Sequence, residues 1–144
     1  MTFDPRGCGL SDRALGDVEG FVERCAADIE AVMDAAELEQ AALYAQLHSG
    51  PPCVRLAVDR PERVSHLVLD GTYARWLRAP DTPDGMPADV AEVFTEVVAQ
   101  HWGNGATIEV FAPSLADDER SRDAWAQYER MATSPGHARS LPER

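Results

Sequence analysis

Residues 41–51 read Ala41-Ala42-Leu43-Tyr44-Ala45-Gln46-Leu47-His48-Ser49-Gly50-Pro51. The chain goes on through Cys53 and Leu56 to Pro61-Glu62-Arg63-Val64 and the apolar Leu67-Val68-Leu69. The short apolar run Ala41–Leu47 is the pattern of a buried parallel strand. Gly50–Asp59 reads as a helix, and Pro51 and Pro52 confine its start to that point because proline is accepted only in a first helical turn. Pro61 closes the helix, and Val64–Asp70 reads as a second buried strand. Strand, sharp turn, helix and strand in this order define a βαβ unit, so the fold class is α/β.

Working outward, Phe21, Val22, Cys25, Ile29, Val32 and Met33 recur at three- and four-residue steps, which predicts an amphipathic helix over roughly 19–36. Before it, Met1–Asp4 reads as the stump of a strand, and Pro5, Gly7 and Gly9 force a loop. After Tyr73 the character changes. Pro80, Pro83, Gly85 and Pro87 mark a linker or loop. Val90, Val93, Phe94, Val97 and Val98 predict a helix over Ala88–Trp102, and a further helix is expected over Asp117–Thr133, ended by Pro135 and Gly136. The polar tail 140–144 is expected to fray. No internal repeat is present.

At 144 residues, with 44% hydrophobic and 26% charged residues, the chain can bury a real core. A net charge of −12 disfavours nucleic acid, because phosphate binding requires clustered cations, and disfavours anionic membrane surfaces. Cys8, Cys25 and Cys53 are odd in number and widely spaced, with no C-x-x-C. His48, His66, His101 and His137 lack ligand spacing. No metal and no cofactor are expected. The opening Met-Thr-Phe-Asp-Pro-Arg-Gly has no basic and apolar leader pattern, and no apolar run reaches the ~20 residues of a membrane helix. The expectation is a cytoplasmic protein with reduced thiols.

Several segments carry a family resemblance. Phe3-Asp4-Pro5-Arg6-Gly7-Cys8-Gly9-Leu10-Ser11-Asp12 resembles the D-x-R-G-x-G-x-S-D segment of α/β-hydrolases. Asp28–Ala36 resembles the helix before their nucleophile elbow, and Leu69-Asp70-Gly71-Thr72-Tyr73-Ala74-Arg75 the strand exit after it. His101-Trp102-Gly103-Asn104-Gly105 and Phe111–Asp118 resemble the subgroup of hydrolase domains fused to adenylate cyclases and bacterial regulators. The resemblance implies a truncated α/β-hydrolase-like parallel sheet with flanking helices, followed by a helical cap. Residues 1–72 would form the partial core (strand stump, helix, elbow strand, helix, strand) and residues 73–144 the cap or lid.

Under that resemblance the elbow G-x-S-x-G is occupied by Ala45, Gln46, Leu47, His48 and Ser49. The nucleophile position is therefore Leu47, which has no lone pair with which to attack a carbonyl. The backbone N–H of His48 is the expected residual oxyanion donor, since that donor does not depend on side chain. The family's second oxyanion loop would precede Met1, and its acid and histidine would follow Arg144. No intact catalytic residue is expected.

The substitute nucleophiles differ in their surroundings. Ser49 has Leu47 and Pro51 two residues to either side, where an elbow needs small residues, and reads as a helix N-cap. Cys53 reads as a small core residue, and Cys8 sits in a glycine-rich loop with nothing near it to lower its pKa. His48 reads as a polar turn histidine rather than a pocket residue. Asp70 stands where some α/β-hydrolases hold their acid, but only His101 and His137 follow it, both in the expected cap. Asp117-Asp118-Glu119 reads as the acidic first turn of a helix. Arg6-Gly7-Cys8-Gly9 lacks phosphate-loop spacing.

Three functions remain open at this point. One is a degenerate, non-catalytic hydrolase-like domain, a remnant sensor or interaction domain of a cyclase or regulator. The second is an esterase-like hydrolase using an unorthodox nucleophile such as Ser49 or Cys8. The third is a module that binds a small molecule or protein. The partners considered are a small-molecule ligand or a further copy of the chain.

Overall fold

The computed structural model describes residues 1–12 and 20–140. They form two compact units, one of residues 17–76 and one of residues 1–16 with 77–144.

The first unit is a short parallel two-stranded sheet with flanking helices. Helix α1 (Phe21–Ala35) starts after Gly20, whose φ of 69° only glycine adopts without strain. The expected start near residue 19 falls outside the described residues. Strand β1 (Ala41–Gln46) pairs with β2 (Val64–Asp70) in parallel, with Leu43 opposite Leu67, Ala45 opposite Leu69 and Gln46 opposite Asp70. Helix α2 (Gly50–Asp59) makes the crossover, with its prolines in the first turn as expected.

The core follows from the two periodicities. Ala26, Ile29 and Met33 fall on one face of α1, and Ala41, Leu43 and Ala45 alternate inward along β1. Ala26, Met33 and Leu56 are buried together, and Ile29, Ala41, Leu43 and Val64 pack against them. Arg63 ties α1 to the entry of β2: its guanidinium donates to Glu30 at 3.2 Å, Asp34 at 2.6 Å and the Leu38 carbonyl at 3.1 Å.

Two expectations about this unit need correction. Leu47 is not the last residue of β1; it opens a 3₁₀ turn, Leu47–Ser49, because its backbone is left-handed and cannot continue a pleat. And neither strand is buried on both faces: in β1 Ala42, Tyr44 and Gln46 are exposed, and in β2 only Val64 and Leu67 are even partly covered, because the layer of α1 and α2 packs on one side. Among the described residues the hydrogen-bonded neighbour of β2 is β1, and Ser65, His66, Val68, Leu69 and Asp70 are exposed.

The second unit is helical. It contains α3 (Ala88–His101), the single-turn α4 (Ile108–Phe111), α5 (Glu119–Ala132) and α6 (Pro135–Ser140). Asp118 caps α5, accepting from Ser121 N at 2.8 Å and Ser121 Oγ at 2.6 Å, and these bonds hold its carboxyl below the usual range. The acidic run thus divides: Asp118 is the cap and Glu119 the first turn. Pro135 does not merely end α5; it opens α6, where its fixed φ suits a first helical residue. Residues 141–144 of the expected frayed tail lie outside the described residues.

Met1–Asp4, expected as a strand stump, forms no strand. Asp4 folds instead onto the loop that follows, accepting Leu10 N at 3.0 Å through its carboxylate and Ser11 Oγ at 2.6 Å through its carbonyl. A Cβ at Gly9 would collide with that carboxylate, and Gly9 also needs φ 52°. The loop docks on the end of α5: Gly9 N donates to Ala132 O at 2.7 Å and Thr133 Oγ1 to Gly7 O at 3.0 Å. These local bonds satisfy the backbone without a ladder.

Glu129 of α5 is 1% exposed and organises this unit. Gly103 N donates to its Oε2 at 2.8 Å, and the Thr107 hydroxyl donates to its Oε1. Trp125 Nε1 in turn donates to Thr107 Oγ1 at 2.8 Å. Trp102 Nε1 reaches the Glu129 and Thr133 carbonyls, both at 3.0 Å.

Candidate functional site

The candidate site lies at the C-terminal end of the parallel pair, the edge at which parallel sheets place ligands. Leu47 follows the last residue of β1 and adopts φ 50°. For an L-residue this conformation costs about 1–2 kcal/mol, because Cβ crowds the following carbonyl oxygen. Among the described residues Glu37 is the other non-glycine with positive φ, in the turn after α1. A γ-branched leucine is held left-handed between a strand and a helix, at the turn where the family resemblance expects the nucleophile elbow.

Its surroundings show what holds it. Ala45, two residues before, is fully buried. Gly50, three residues after, is also buried, and a Cβ there would strike the Thr72 hydroxyl. That hydroxyl donates to the Leu47 carbonyl at 2.5 Å. Gln46 lies level with Asp70, so the turn at Leu47 and the exit Gly71-Thr72 meet side by side.

Ser49 occupies the N-cap position of α2, as expected, but makes no cap to that helix. Gln46 N donates to Ser49 Oγ at 2.8 Å, and Ser49 Oγ donates to Gln46 O at 2.7 Å. Its proton and a lone pair are both committed to the turn. This reciprocal bonding braces the turn.

His48 is bonded through Nδ1 to the Tyr73 hydroxyl, and the rings meet edge to face with centroids 5.8 Å apart. The side chain keeps an exposed edge, yet the protein around it desolvates the imidazolium and lowers its pKa. Burial pushes the Tyr73 phenol up to about 12. Both groups are neutral at pH 7, so the phenol donates to Nδ1 and the imidazole proton resides on Nε2. The acceptor nitrogen of His48 is then occupied. Its backbone N–H, the expected oxyanion donor, follows directly on the left-handed residue.

The other expected candidates are engaged within their own units. Asp70 accepts the Tyr44 phenol at 2.7 Å, an interaction that raises the Tyr44 pKa. Cys53 is buried in α2, and burial pushes its thiol up, away from reactivity. Cys8 is half-buried in the glycine loop of the second unit. His101 lies at the end of α3 with Asn104 Nδ2 at 3.3 Å from its Nδ1. The His137 side chain lies outside the described residues. Among the described residues no three His, Cys, Asp or Glu side chains gather as a metal site, and no helix is long and apolar enough to cross a membrane. An open hollow of about 460 Å³ lined by Asp34, Glu37, Leu38, Glu39 and Arg63 lies toward the start of β1, the opposite end from the elbow.

Sequence reading missed Thr72 and Tyr73 as parts of the site. The available signal was their position just past the second strand, which the parallel register brings level with the elbow.

A family model described as the alpha/beta hydrolase fold matches residues 1–138. Among solved structures, the chain is similar to an esterase from Exiguobacterium antarcticum, with 20% identity over 98% of this chain and 54% of that one, at a TM-score of 0.75. It is similar to a hydrolase from Pseudomonas aeruginosa PA01, with 24% identity over 97% and 51% of the two chains and a TM-score of 0.67. It is also similar to Est816, described as an N-acyl homoserine lactone degrading enzyme, with 20% identity over 94% and 49% and a TM-score of 0.55. No curated protein matches the chain. At these identities the likeness to solved structures is one of fold, and the chain spans about half the length of each.

Proposed function

This chain belongs to the α/β hydrolase fold family, and we propose that it is a non-catalytic member in which the elbow survives as a backbone device without a nucleophile. One observation carries the reading: the residue with the elbow's left-handed backbone, at φ 50° after β1, is Leu47. Covalent hydrolysis needs an oxygen or sulfur nucleophile there, activated by a base. The neighbouring hydroxyl, Ser49, is engaged at both ends by Gln46. The neighbouring imidazole gives its acceptor nitrogen to Tyr73.

What remains at the elbow is a half-exposed apolar side chain, an imidazole bonded to Tyr73 and a strained turn. Such a surface suits recognition rather than turnover. The segments His101–Gly105 and Phe111–Asp118 support a sensor or interaction role in a cyclase or other regulator, in a cytoplasmic setting that also suits the three dispersed cysteines.

The test is hydrolysis of a short-chain activated ester by the parent, Ser49→Ala, Cys8→Ala and Leu47→Ser chains. No chain is expected to turn over above buffer. Leu47→Ser is expected to show no acylation burst, because a serine without a free base stays protonated. Parent activity abolished by Ser49→Ala or Cys8→Ala would overturn the reading in favour of an unorthodox nucleophile.

A further inference from the structure

Two successive residues of the β2 exit are bonded to two successive residues of the turn after β1. The Thr72 hydroxyl donates to the Leu47 carbonyl at 2.5 Å, and the Tyr73 hydroxyl donates to His48 Nδ1. The first bond joins groups that do not change charge. The second ends on an imidazole, the side chain whose charge changes nearest to neutral pH. With the phenol as donor, the bond exists only while Nδ1 carries no proton.

Protonating His48 turns that acceptor into a donor. The phenol can then stay only by turning its own proton away, and His48 is the partner of that hydroxyl among the described residues. Tyr73 is half-buried, so the displaced proton would lack an acceptor. The groups packed around the imidazole do not offset this cost. On the turn its neighbours are Leu47 and Ser49, which carry no charge, and the first turn of α2 has no acid. At the end of β2 the carboxylate of Asp70 accepts the Tyr44 phenol at 2.7 Å. On the exit, Tyr73 is the titratable group facing the ring, and it is neutral. Among the described residues burial alone lowers the pKa of His48, with no charge contributing.

The two sides of the bond differ in what holds them. The turn is braced by the reciprocal bonds of Gln46 and Ser49, at 2.8 and 2.7 Å, and is flanked by buried Ala45 and Gly50. Residues 71–73 belong to no helix or strand. The exit is therefore the side that gives way.

We infer that His48 is a proton-operated latch: uncharged, it holds Tyr73 against the Leu47–Ser49 turn, and protonated, it releases Tyr73 and loosens the exit at the C-terminal end of the strand pair. The sign follows from the burial of the ring. Its folded pKa lies below the ordinary 6.5, so the latch is closed above pH 6.5 and opens as the pH falls through the lower, folded value. The inference uses bonds within residues 46–73 and is independent of whether the turn is catalytic.

The experiment is a nuclear magnetic resonance titration of the full chain from about pH 8 to about pH 4.5, following the His48 and Tyr73 rings in the parent, His48→Gln and Tyr73→Phe. In the parent, cross-peaks between the two rings are expected at the upper pH and are expected to vanish in step with His48 protonation, while β1 and β2 resonances stay in place. Glutamine offers an acceptor that does not titrate, so in His48→Gln the Tyr73 resonances should show no such step. In Tyr73→Phe the neutral imidazole loses its donor, so His48 should titrate at higher pH than in the parent. A melt at each pH reports on the fold. Tyr73 resonances that ignore His48 protonation, a step that persists in His48→Gln, an unchanged His48 titration in Tyr73→Phe, or unfolding of the whole chain in place of release of Tyr73 would each overturn the inference.

Discussion

Replacing Leu47 by glycine and, separately, by alanine is expected to reverse the usual order of stability of these two residues. At an ordinary position alanine exceeds glycine by about 0.5–1 kcal/mol, because glycine loses more backbone freedom on folding. At φ 50° an L-residue carries about 1–2 kcal/mol of strain that glycine does not. The difference leaves the glycine variant more stable than the alanine variant by about 0.5–1 kcal/mol. Both lose the leucine side chain, which is 44% exposed, so truncation itself removes about 1 kcal/mol of apolar burial. The expected order is parent about equal to glycine, with alanine below both. Urea denaturation of the full chain followed by circular dichroism reads this as a difference in midpoint at constant slope. If alanine proves more stable than glycine, residue 47 is not left-handed. The retained elbow, and with it the structural basis for a vacant nucleophile position, would then be lost.

Two further outcomes are expected. Glu129→Ala would leave Gly103 N–H and the Thr107 hydroxyl without their acceptor in a buried site, at a cost of about 3 kcal/mol, with Glu129→Gln intermediate because it keeps one carbonyl oxygen; chemical denaturation measures both, and an alanine variant as stable as the parent would refute the role given to this carboxylate. Tyr73 ionises at about 12 when folded against 10.0 when unfolded, so its contribution is present below pH 10 and lost as pH rises toward 12. Solvent exposure of the ring reduces the effect to about 1 kcal/mol. The chain has no lysine to titrate in that range, so Tyr73→Phe should show a visibly shallower alkaline fall in melting temperature, and an unchanged slope would refute the burial of the phenol.

The sequence by itself determined the strand, helix and strand of residues 41–70. Helix α2 and strand β2 were legible to their last residues because prolines, a helical stripe and an apolar run are local signals that no distant contact overrides here. That Leu47 falls where the elbow's nucleophile is expected follows from the family resemblance, and the proposed non-catalytic reading rests on it. Only the tertiary structure decided that Leu47 is left-handed, since a backbone dihedral is set by what surrounds it, here buried Ala45, Gly50 against Thr72, and Ser49 bonded back to Gln46. The pairing of His48 with Tyr73 was not legible, because it joins residues brought level by strand register. The strand expected at Met1–Asp4 failed for the same reason in reverse. A strand exists only beside a neighbour, and Asp4 found its partners in the loop ahead of it instead.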